Sequence, residues 1–431
     1  MKLFPVLLLL VLQAGPVAAQ LRFNSLGEVI QYADKNSLVI RQSQLQQRIS
    51  RQDEAINKSG LLPKVNVFGT ADYFPIITSQ VIPEALFGGS PDKFRKVQFG
   101  LPWSFSSGVE LTIPVINFEK WEQLKRFKLQ SQQTAATGKV NLEALHIQIT
   151  QWYYQCLLTR EMIQLNSSNQ QLINELMRIL AERKKNGVLN PADYNRSKNL
   201  QLDIQSTGVE YEKSYNQSLI VLRQLLNLPD TTALQFNDSI AATQWQTVPE
   251  QTAITNRPAW KEALARVSVA EQQIKETQKA ALPKIALTSK YTYQWQMKPS
   301  ESQHVNFDYA SAGLRLDFPI FQGNYYRASA RRNELQLSLA KTDSEQTAND
   351  LLRQQSEWWN AYNAAIKKQA LLQEKYNVAT DNLHIAQLNM KEGVMELDEF
   401  YNIFQEYNKA RMDYLQNMND GIVYQLLLTL K

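Results

Sequence analysis

The chain has 431 residues, one cysteine, three histidines and a formal net charge of +5. A single cysteine excludes an intrachain disulfide framework, and the interspersed charges of both signs give no basic footprint for nucleic acid. Glycine and proline are scarce, at 15 each, while Gln, Asn, Leu and Ala are abundant, and this composition favours long helices.

The N-terminus has the layout of a secretory signal peptide. Lys2 precedes an apolar run from Leu3 to Leu12, and Val17–Ala19 supplies small residues at a cleavage site. We predict that residues 1–19 are removed and that the mature chain starts near Gln20. Because no later apolar stretch is long enough for a spanning helix, any membrane crossing must use strands.

Short motifs occur twice along the chain at a nearly constant separation. The pairs are Leu62-Pro63-Lys64 and Leu282-Pro283-Lys284, Gly108-Val109 and Gly313-Leu314, Trp152-Tyr153 and Trp358-Trp359, and Gly187-Val188 and Gly393-Val394. The first pair is 220 residues apart and the others 205 or 206, so the first copy carries about 15 extra residues around Ser79–Lys96. We predict an internal duplication with repeats 20–229 and 256–431, joined by a linker or equatorial segment at 230–255.

The sequence pattern of each repeat predicts a leading helix, two strands, one very long helix and a returning helix. The predicted helices are Ser25–Ser59, Glu119–Asn186 and Pro191–Leu228, then Arg257–Ala281, Asn324–Glu392 and Glu396–Leu430. The long helices would extend about 100 Å at ~1.5 Å per residue. Helices of this length must pack lengthwise on neighbours, which predicts coiled-coil pairs.

The predicted strands alternate apolar and polar residues. One continuous strand is predicted from Val97 to Ile113 and another from Ile285 to Gln296, with aromatic residues at the loop ends, namely Phe99, Trp103, Tyr293 and Trp295. Alternation is weak from Lys64 to Phe74. The apolar phase also changes along the last strand, which predicts a bulge near Ala310–Gly313.

The strands allow two environments. A soluble sheet packed on helices would show the same alternation, but the export signal and the uniform strand length favour a membrane. Four strands per chain cannot close a transmembrane barrel, for which about eight is the smallest number. Because open edges are not tolerated in lipid, membrane insertion requires two or three chains.

The sequence resembles the TolC-type outer membrane efflux proteins over nearly the whole mature chain. The resemblance lies in the Leu62-Pro63 element and its copy Leu282-Pro283, in Pro114 and Pro319 closing the strands, and in Gly187-Val188-Leu189 with Asp193 and Gly393-Val394-Met395 with Asp398. It implies an α+β membrane protein: a trimeric twelve-stranded β-barrel continuous with a long coiled-coil α-helical barrel. It also implies a homotrimer in outer membrane lipid that docks to a periplasmic adaptor and an inner-membrane transporter.

The resemblance assigns roles to the two turns between long and returning helices. Gly187 and Gly393 would end the long helices, leaving Val188, Leu189, Val394 and Met395 as exposed apolar residues that meet the adaptor. A plain hairpin turn with packed side chains is the alternative. Asp398, Glu399 and Asp193 lie just beyond the turns, where three chains would bring acids into a pore-lining ring. Acids in a first helical turn also suit the helix dipole without any such role.

No sequence pattern predicts an enzyme, a cofactor or a metal site, and the three histidines are far apart. The leading interpretation is a passive outer membrane exit duct for tripartite efflux or type I secretion, with its helical part in the periplasm. The alternatives are a coiled-coil envelope scaffold without transport and a porin-like channel, which would need more strands per chain. Whether drugs, metal ions or polypeptides pass is left open.

Overall fold

The computed structural model describes residues 20–240, 245, 248, 253–301 and 303–429. The predicted signal peptide and much of the 230–255 segment lie outside the described residues. The chain separates into two compact units, one built from residues up to 46, 135–262 and 345 onwards, the other from 47–134 and 263–344. None of the described helices is long and apolar enough to cross a membrane.

All the predicted helices are present. They are α1 Leu26–Asn36, α2 Leu38–Ser59, α3 Phe118–Lys185, α4 Pro191–Leu225, α5 Pro258–Ala280, α6 Tyr325–Glu392 and α7 Leu397–Thr429. The prediction of one helix over Ser25–Ser59 was wrong at one point, because Ser37 leaves the helical conformation with ψ 134° and separates α1 from α2. The long helices α3 and α6 have the same length, 68 residues each.

In the first unit, a short parallel strand pair accompanies the helices. Strand β1, Gln20–Phe23, pairs with Ala233–Phe236, a strand in the predicted linker. This second strand is numbered β6, because strands β2 to β5 precede it in the chain. Phe236 stacks edge-on against the fully buried Tyr153 of α3, with ring centroids 5.0 Å apart. Arg160 donates to the carbonyls of Phe236 and Asp238, so α3 fixes the linker at this point.

The second unit contains a four-stranded antiparallel sheet. Its strands are β2 Lys64–Tyr73, β5 Trp103–Ile116, β7 Lys284–Lys298 and β8 Gln303–Asp317, in the order β2-β5-β7-β8. A separate two-stranded hairpin, β3 Ser79–Pro83 and β4 Phe94–Gln98, lies between β2 and β5 in the chain. The extra residues predicted in the first copy form this hairpin.

The structure corrects two predictions about the strands. The segment Val97–Ile113 is not one strand, because Gly100 at φ +107° interrupts it and Val97 belongs to β4. Phe99 therefore lies outside the long strands. The predicted bulge at Ala310–Gly313 is also wrong, since β7 and β8 stay in register throughout, and the sheet's register shift falls between Pro114 and Ile116.

The strand register separates the sheet into two chemically different faces, because directly opposed residues point to the same side. The apolar face carries Val65, Val67, Tyr73, Trp103, Phe105, Val109, Leu111, Leu287, Tyr291, Tyr293, Trp295, Leu314 and Leu316. The polar face carries Asn66, Thr70, Asp72, Ser104, Ser106, Glu110, Thr112, Thr288, Lys290, Thr292, Gln294 and Gln296. The outer part of β8 reverses this pattern: Val305, Phe307 and Tyr309 lie on the polar face, and His304, Asn306 and Asp308 lie on the apolar face. This reversal explains the change of apolar phase without a bulge.

Candidate functional site

Both turns between long and returning helices end their helix in the same way. Gly187 and Gly393 adopt φ of +72° and +80°, a conformation that glycine takes without steric cost. The next amide donates back into the helix, from Val188 to the Arg183 carbonyl and from Val394 to the Asn389 carbonyl, each at 3.0 Å. This pattern is a Schellman motif, so both glycines are explained by helix termination.

The returning helix α4 begins with a capping residue. The Asn190 side chain accepts from the Ala192 amide at 2.9 Å, and Pro191 occupies the first helical position. Asp193 follows in the first turn, where its charge suits the positive end of the helix dipole. The position of Asp193 is therefore accounted for by the helix start alone.

The four apolar turn residues differ in exposure. Val188 and Val394 are 78% and 72% exposed, as predicted. Leu189 and Met395 are instead half-buried and pack against a cluster of buried side chains, as in the alternative of a packed hairpin turn, so the prediction that they are exposed was wrong. One exposed valine therefore remains at each turn.

That buried cluster, called the tip cluster here, draws side chains from four helices. Its buried members are Ile173, Leu176, Met177, Leu180, Ile204, Leu383, Ala386, Met390, Phe400, Tyr401 and Phe404. They belong to α3, α4, α6 and α7. One apolar core therefore joins the two helical hairpins, α3–α4 and α6–α7. Burial of Phe400 and Phe404, at 1% and 2% exposure, removes large apolar surfaces from water.

Polar contacts also join the two hairpins. Arg183 of α3 donates from Nη2 to the Met390 carbonyl in the last turn of α6 at 3.0 Å. A guanidinium at this position offsets the negative end of the α6 dipole. Lys391 Nζ lies 3.1 Å from Glu175 Oε1, which adds an exposed ion pair between the same two helices.

The three candidate acids have different surroundings. Asp398 forms an ion pair with Arg196 of α4 in the same chain, and both side chains are more than half exposed. Glu399 is exposed and has no ion pair among the described residues. Asp193 and Asp398 both lie near Tyr401, whose pKa is raised mainly by burial. Tyr401 is therefore a common neighbour of Asp193 and Asp398.

Several residues that organise this site were not predicted from the sequence. Arg183, Arg196, Ser197 and the pair Glu175–Lys391 link the hairpins, and the buried Ser197 hydroxyl also hydrogen-bonds Tyr401. A basic last turn in α3 was visible, at Arg183–Lys185, but it is typical of any helix C-terminus. Within the described part of the chain, no group of three or more His, Cys, Asp or Glu side chains could hold a metal ion.

Comparison with known proteins bears directly on these features. Residues 250–421 match the family described as outer membrane efflux protein. The resemblance found in the sequence is therefore confirmed. No curated protein sequence matches the chain significantly.

Solved outer membrane proteins share the fold of this chain. The Campylobacter jejuni CmeC outer membrane channel superposes with a TM-score of 0.78 at 14% identity, covering 94% of this chain and 85% of that one. VceC, an outer membrane protein of Vibrio cholerae, gives 0.73 at 13% identity, covering 94% of both chains. The open-state Neisseria gonorrhoeae MtrE channel gives 0.71 at 15% identity, covering 94% and 88%.

Proposed function

We propose that this protein is the outer membrane exit duct of a tripartite export system. Three copies of the four-stranded sheet would close a twelve-stranded barrel, and the helical hairpins would lie in the periplasm. The match of residues 250–421 to outer membrane efflux proteins supports the channel class. The duct itself is passive, and an inner-membrane transporter supplies the energy.

The observation that carries this proposal is the two-faced sheet with its exposed apolar face. Val67 and Leu314 on that face are 81% and 73% exposed in the single chain. Such a surface is expected to be covered, and lipid covers one face of a barrel while water fills the other. Among the described residues, the outer strands β2 and β8 each pair on one side only, and in the proposed barrel sister chains would complete the ladder.

The aromatic residues support a membrane interface at the loop ends of the strands. Tyr73, Trp103, Phe105 and Trp295 form a continuous row on the apolar face, with ring centroids 4.7 to 6.2 Å apart. Asn306 donates to the Tyr293 hydroxyl at 2.9 Å, so polar tips accompany apolar rings. Amphipathic aromatic side chains of this kind are enriched where lipid meets water.

Membrane fractionation tests the proposal against the scaffold alternative. The mature protein should be found in outer membrane fractions as an oligomer that dissociates on heating, and it should form ion-conducting channels in planar bilayers. A soluble periplasmic monomer without conductance would instead support a coiled-coil envelope scaffold. Neighbouring genes for a proton-driven pump or for an ATP-binding exporter would separate efflux from secretion.

The turns provide the proposed adaptor-docking surface. Val188 and Val394 are the exposed apolar residues, while Gly187 and Gly393 shape the turns and Leu189 and Met395 fix them to the tip cluster. Replacing both valines by aspartate should abolish export in a complementation assay while leaving the oligomer intact. Val209→Asp, at a 63% exposed position of α4, is the matched control and should export normally. Normal export by the double variant would disprove docking at the turns.

The acids provide the proposed pore ring. Threefold symmetry would bring Asp398 or Glu399 of three chains together, with Asp193 nearby, and acid rings favour cations. Because Asp398 is already paired with Arg196, Glu399 has the freer carboxylate. Asp398→Ala and Glu399→Ala should each weaken cation block of single channels, and Asp381→Ala, an exposed acid of α6, should not. Unchanged block in both variants would exclude the ring.

A further inference from the structure

The two repeats build their own strand pairs with the same register. In β2–β5, Lys64 lies opposite Thr112, and in β7–β8, Lys284 lies opposite Asp317. Lys284 follows Lys64 by 220 residues and Asp317 follows Thr112 by 205, which are the offsets of the repeated motifs in these strands. The internal duplication therefore transfers the strand register from one repeat to the other, residue by residue.

The strand pair that joins the two repeats occurs once among the described residues. It is formed by β5, the last strand of the first repeat, and β7, the first strand of the second. The equivalent strands are β8 and β2, which are the outer strands of the sheet. Because four strands cannot close on themselves, an equivalent pair can form only between β8 of one copy and β2 of the next.

The chain that follows β8 shows the effect of a missing partner. In the first repeat, Ile113 and Ile116 are half-buried and pair with β7. Their counterparts in the second repeat, Phe318 and Phe321, are 55% and 82% exposed. Strand β7 begins opposite the last residue of β8, so the described sheet has no strand that residues 318–321 could join.

The free edge of β2 is exposed in the same way. Val65 and Val67 are exposed, whereas their counterparts Ile285 and Leu287 are half-buried and pair with β5. The two unpaired apolar edges therefore lie at the positions that pack together where the repeats meet within the chain. An exposed strand edge of this kind is a template for pairing with another chain.

We propose that residues 318–321, called the assembly clip, continue β8 as a strand on β2 of the next copy. This inference rests on the proposed function, because the barrel requires β8 and β2 of different copies to meet. Transfer of the β5–β7 register places Leu314 opposite Ala71 of the next copy and Phe318 opposite Val67 of the next copy. The register shift that β5 shows after Pro114 transfers to the assembly clip itself.

The transferred register keeps the two faces of the sheet in phase. Leu316 comes to lie opposite Gly69 on the apolar face, and Arg315 opposite Thr70 on the polar face. A slip of one residue would bring apolar residues of one copy opposite polar residues of the other. A slip of two residues would keep the faces in phase, and the internal duplication is what excludes it.

The helices next to the sheet follow the same duplication. A Cβ at Gly60 would lie 3.8 Å from Lys120 Cδ, and at the equivalent place the Tyr326 hydroxyl donates to the Ala280 carbonyl at 3.2 Å. These counterparts are 220 residues apart in the leading helices and 206 apart in the long helices. Contacts between these helices can therefore be transferred with these two offsets.

Transfer of one ion pair predicts a helix contact between copies. Arg126 of α3 lies 2.6 Å from Glu276 of α5, measured between Nε and Oε2. The counterparts are Arg332 of α6 and Ile56 of α2, and both are exposed. Arg332 therefore comes to lie beside Ile56 of the next copy, where its aliphatic stem can cover the apolar side chain.

Disulfide cross-linking in outer membranes tests the register. Phe318→Cys combined with Val67→Cys should join neighbouring copies about tenfold faster than Phe318→Cys combined with Gly69→Cys, because only directly opposed residues are within disulfide reach. The native Cys156 is buried and should not contribute.

Exchange of charges tests the helix contact. Ile56→Lys places an ammonium group beside Arg332 of the next copy and should lower the temperature at which the oligomer dissociates. Adding Arg332→Glu should restore this temperature, because the new pair has opposite charges. Adding Arg331→Glu should not, because Arg331 already pairs with Glu334 of its own chain at 3.1 Å.

The outcomes separate this inference from the proposed function. Faster cross-linking of the Phe318–Gly69 pair would overturn the register and leave the duct standing. An intact, conducting oligomer in which neither pair cross-links would place the assembly clip in lipid and also overturn the inference. Leu314→Cys combined with Ala71→Cys gives the same information if Phe318→Cys prevents folding. Absence of any oligomer of the unaltered protein would instead overturn the duct.

Discussion

At the scale of single residues, the two turn glycines have the same conformation but different neighbours. A Cβ at Gly187 would meet no atom within 4 Å, whereas one at Gly393 would lie 3.1 Å from Nη2 of Arg183. The difference arises because Arg183 reaches over the α6 terminus to bind the Met390 carbonyl. A substitution at Gly187 therefore tests backbone strain alone, whereas one at Gly393 also disturbs the Arg183 contact between the hairpins.

Gly187→Ala should lower the free energy of unfolding by about 1 kcal/mol, since an L-residue with positive φ is strained by roughly this amount. Gly393→Ala should cost more, because its methyl group also displaces Arg183. Thermal unfolding of the purified proteins measures both, and Arg183→Ala in each background gives the coupling. Equal losses in the two glycine variants would contradict the role of Arg183.

Because of Tyr153, the free energy of unfolding is expected to fall as the pH rises in the alkaline range. Burial, reinforced by Asp238, raises the pKa of this phenol above its usual value, so the folded chain keeps the proton at pH values where the unfolded chain releases it. The associated stabilisation is complete below about pH 10 and is lost as pH rises towards the folded pKa. Tyr153→Phe should flatten the fall in stability above about pH 10, measured as denaturation midpoints.

The same variant also loses the hydrogen bond from Tyr153 to Asp238 Oδ2 at 3.1 Å, which should cost about 1 kcal/mol at neutral pH. Tyr325→Phe, at a 62% exposed position, is the control and should leave the pH profile unchanged. Parallel profiles for wild type and Tyr153→Phe would contradict the assignment.

At the scale of helices and strands, the turns between the long and returning helices were well predicted, and the partners of the elements were not. Gly187, Asn190 and Pro191 mark a helix end and a helix start because each has a local backbone reason for its place. The pairing of β1 with β6 joins residues more than 200 positions apart, and Arg196 with Asp398 joins two different hairpins. Such contacts depend on tertiary packing, which no local pattern encodes.

The β3–β4 hairpin was located from the sequence, but the ends of its strands were not. A comparison of the two copies located the extra residues around Ser79–Lys96, but alternation continued through Val97 and Phe99 into β5 and gave one strand instead of two. Alternation of apolar and polar residues does not show where the chain changes from one sheet partner to another. Gly100, with φ of +107°, was the local signal of a break.

The tip cluster should dominate the stability of the paired hairpins. Phe404→Ala removes a side chain that is 2% exposed and should lower the free energy of unfolding by about 3–5 kcal/mol. Val394→Ala, at a 72% exposed position, should change it by less than about 0.5 kcal/mol. Chemical denaturation followed by circular dichroism measures both, and a small loss for Phe404→Ala would show that the hairpins pack differently.

At the scale of the whole molecule, the proposed duct needs sister chains to complete the sheet. Its sequence signature was the alternation of apolar and polar residues, which predicted one apolar face but assigned the change of phase along β8 to a bulge and missed the boundary with the β3–β4 hairpin. The number of chains follows from the family resemblance and stays a prediction, because four strands can be completed by either one or two further copies.

Charge placed on the two faces should have opposite consequences. Leu111→Arg puts a cation on the apolar face, where lipid exposure at mid-depth would cost about 2–4 kcal/mol. Thr112→Arg puts the same charge on the polar face, next along the strand, where water is expected. The first variant should lose the heat-dissociable oligomer from outer membrane fractions and the second should retain it. Equal assembly of both would indicate that the apolar face does not contact lipid.

The equal lengths of α3 and α6 constrain how the length of the helical hairpins can change. Seven residues added to α3 alone would carry Gly187 forward by about 10 Å, at ~1.5 Å per residue. Arg183 would then pass the Met390 carbonyl, and the valines of the two turns would no longer stand level. An insertion or deletion in either long helix therefore requires a matching change in the other long helix and in both returning helices. An unmatched insertion would place one turn ahead of the other.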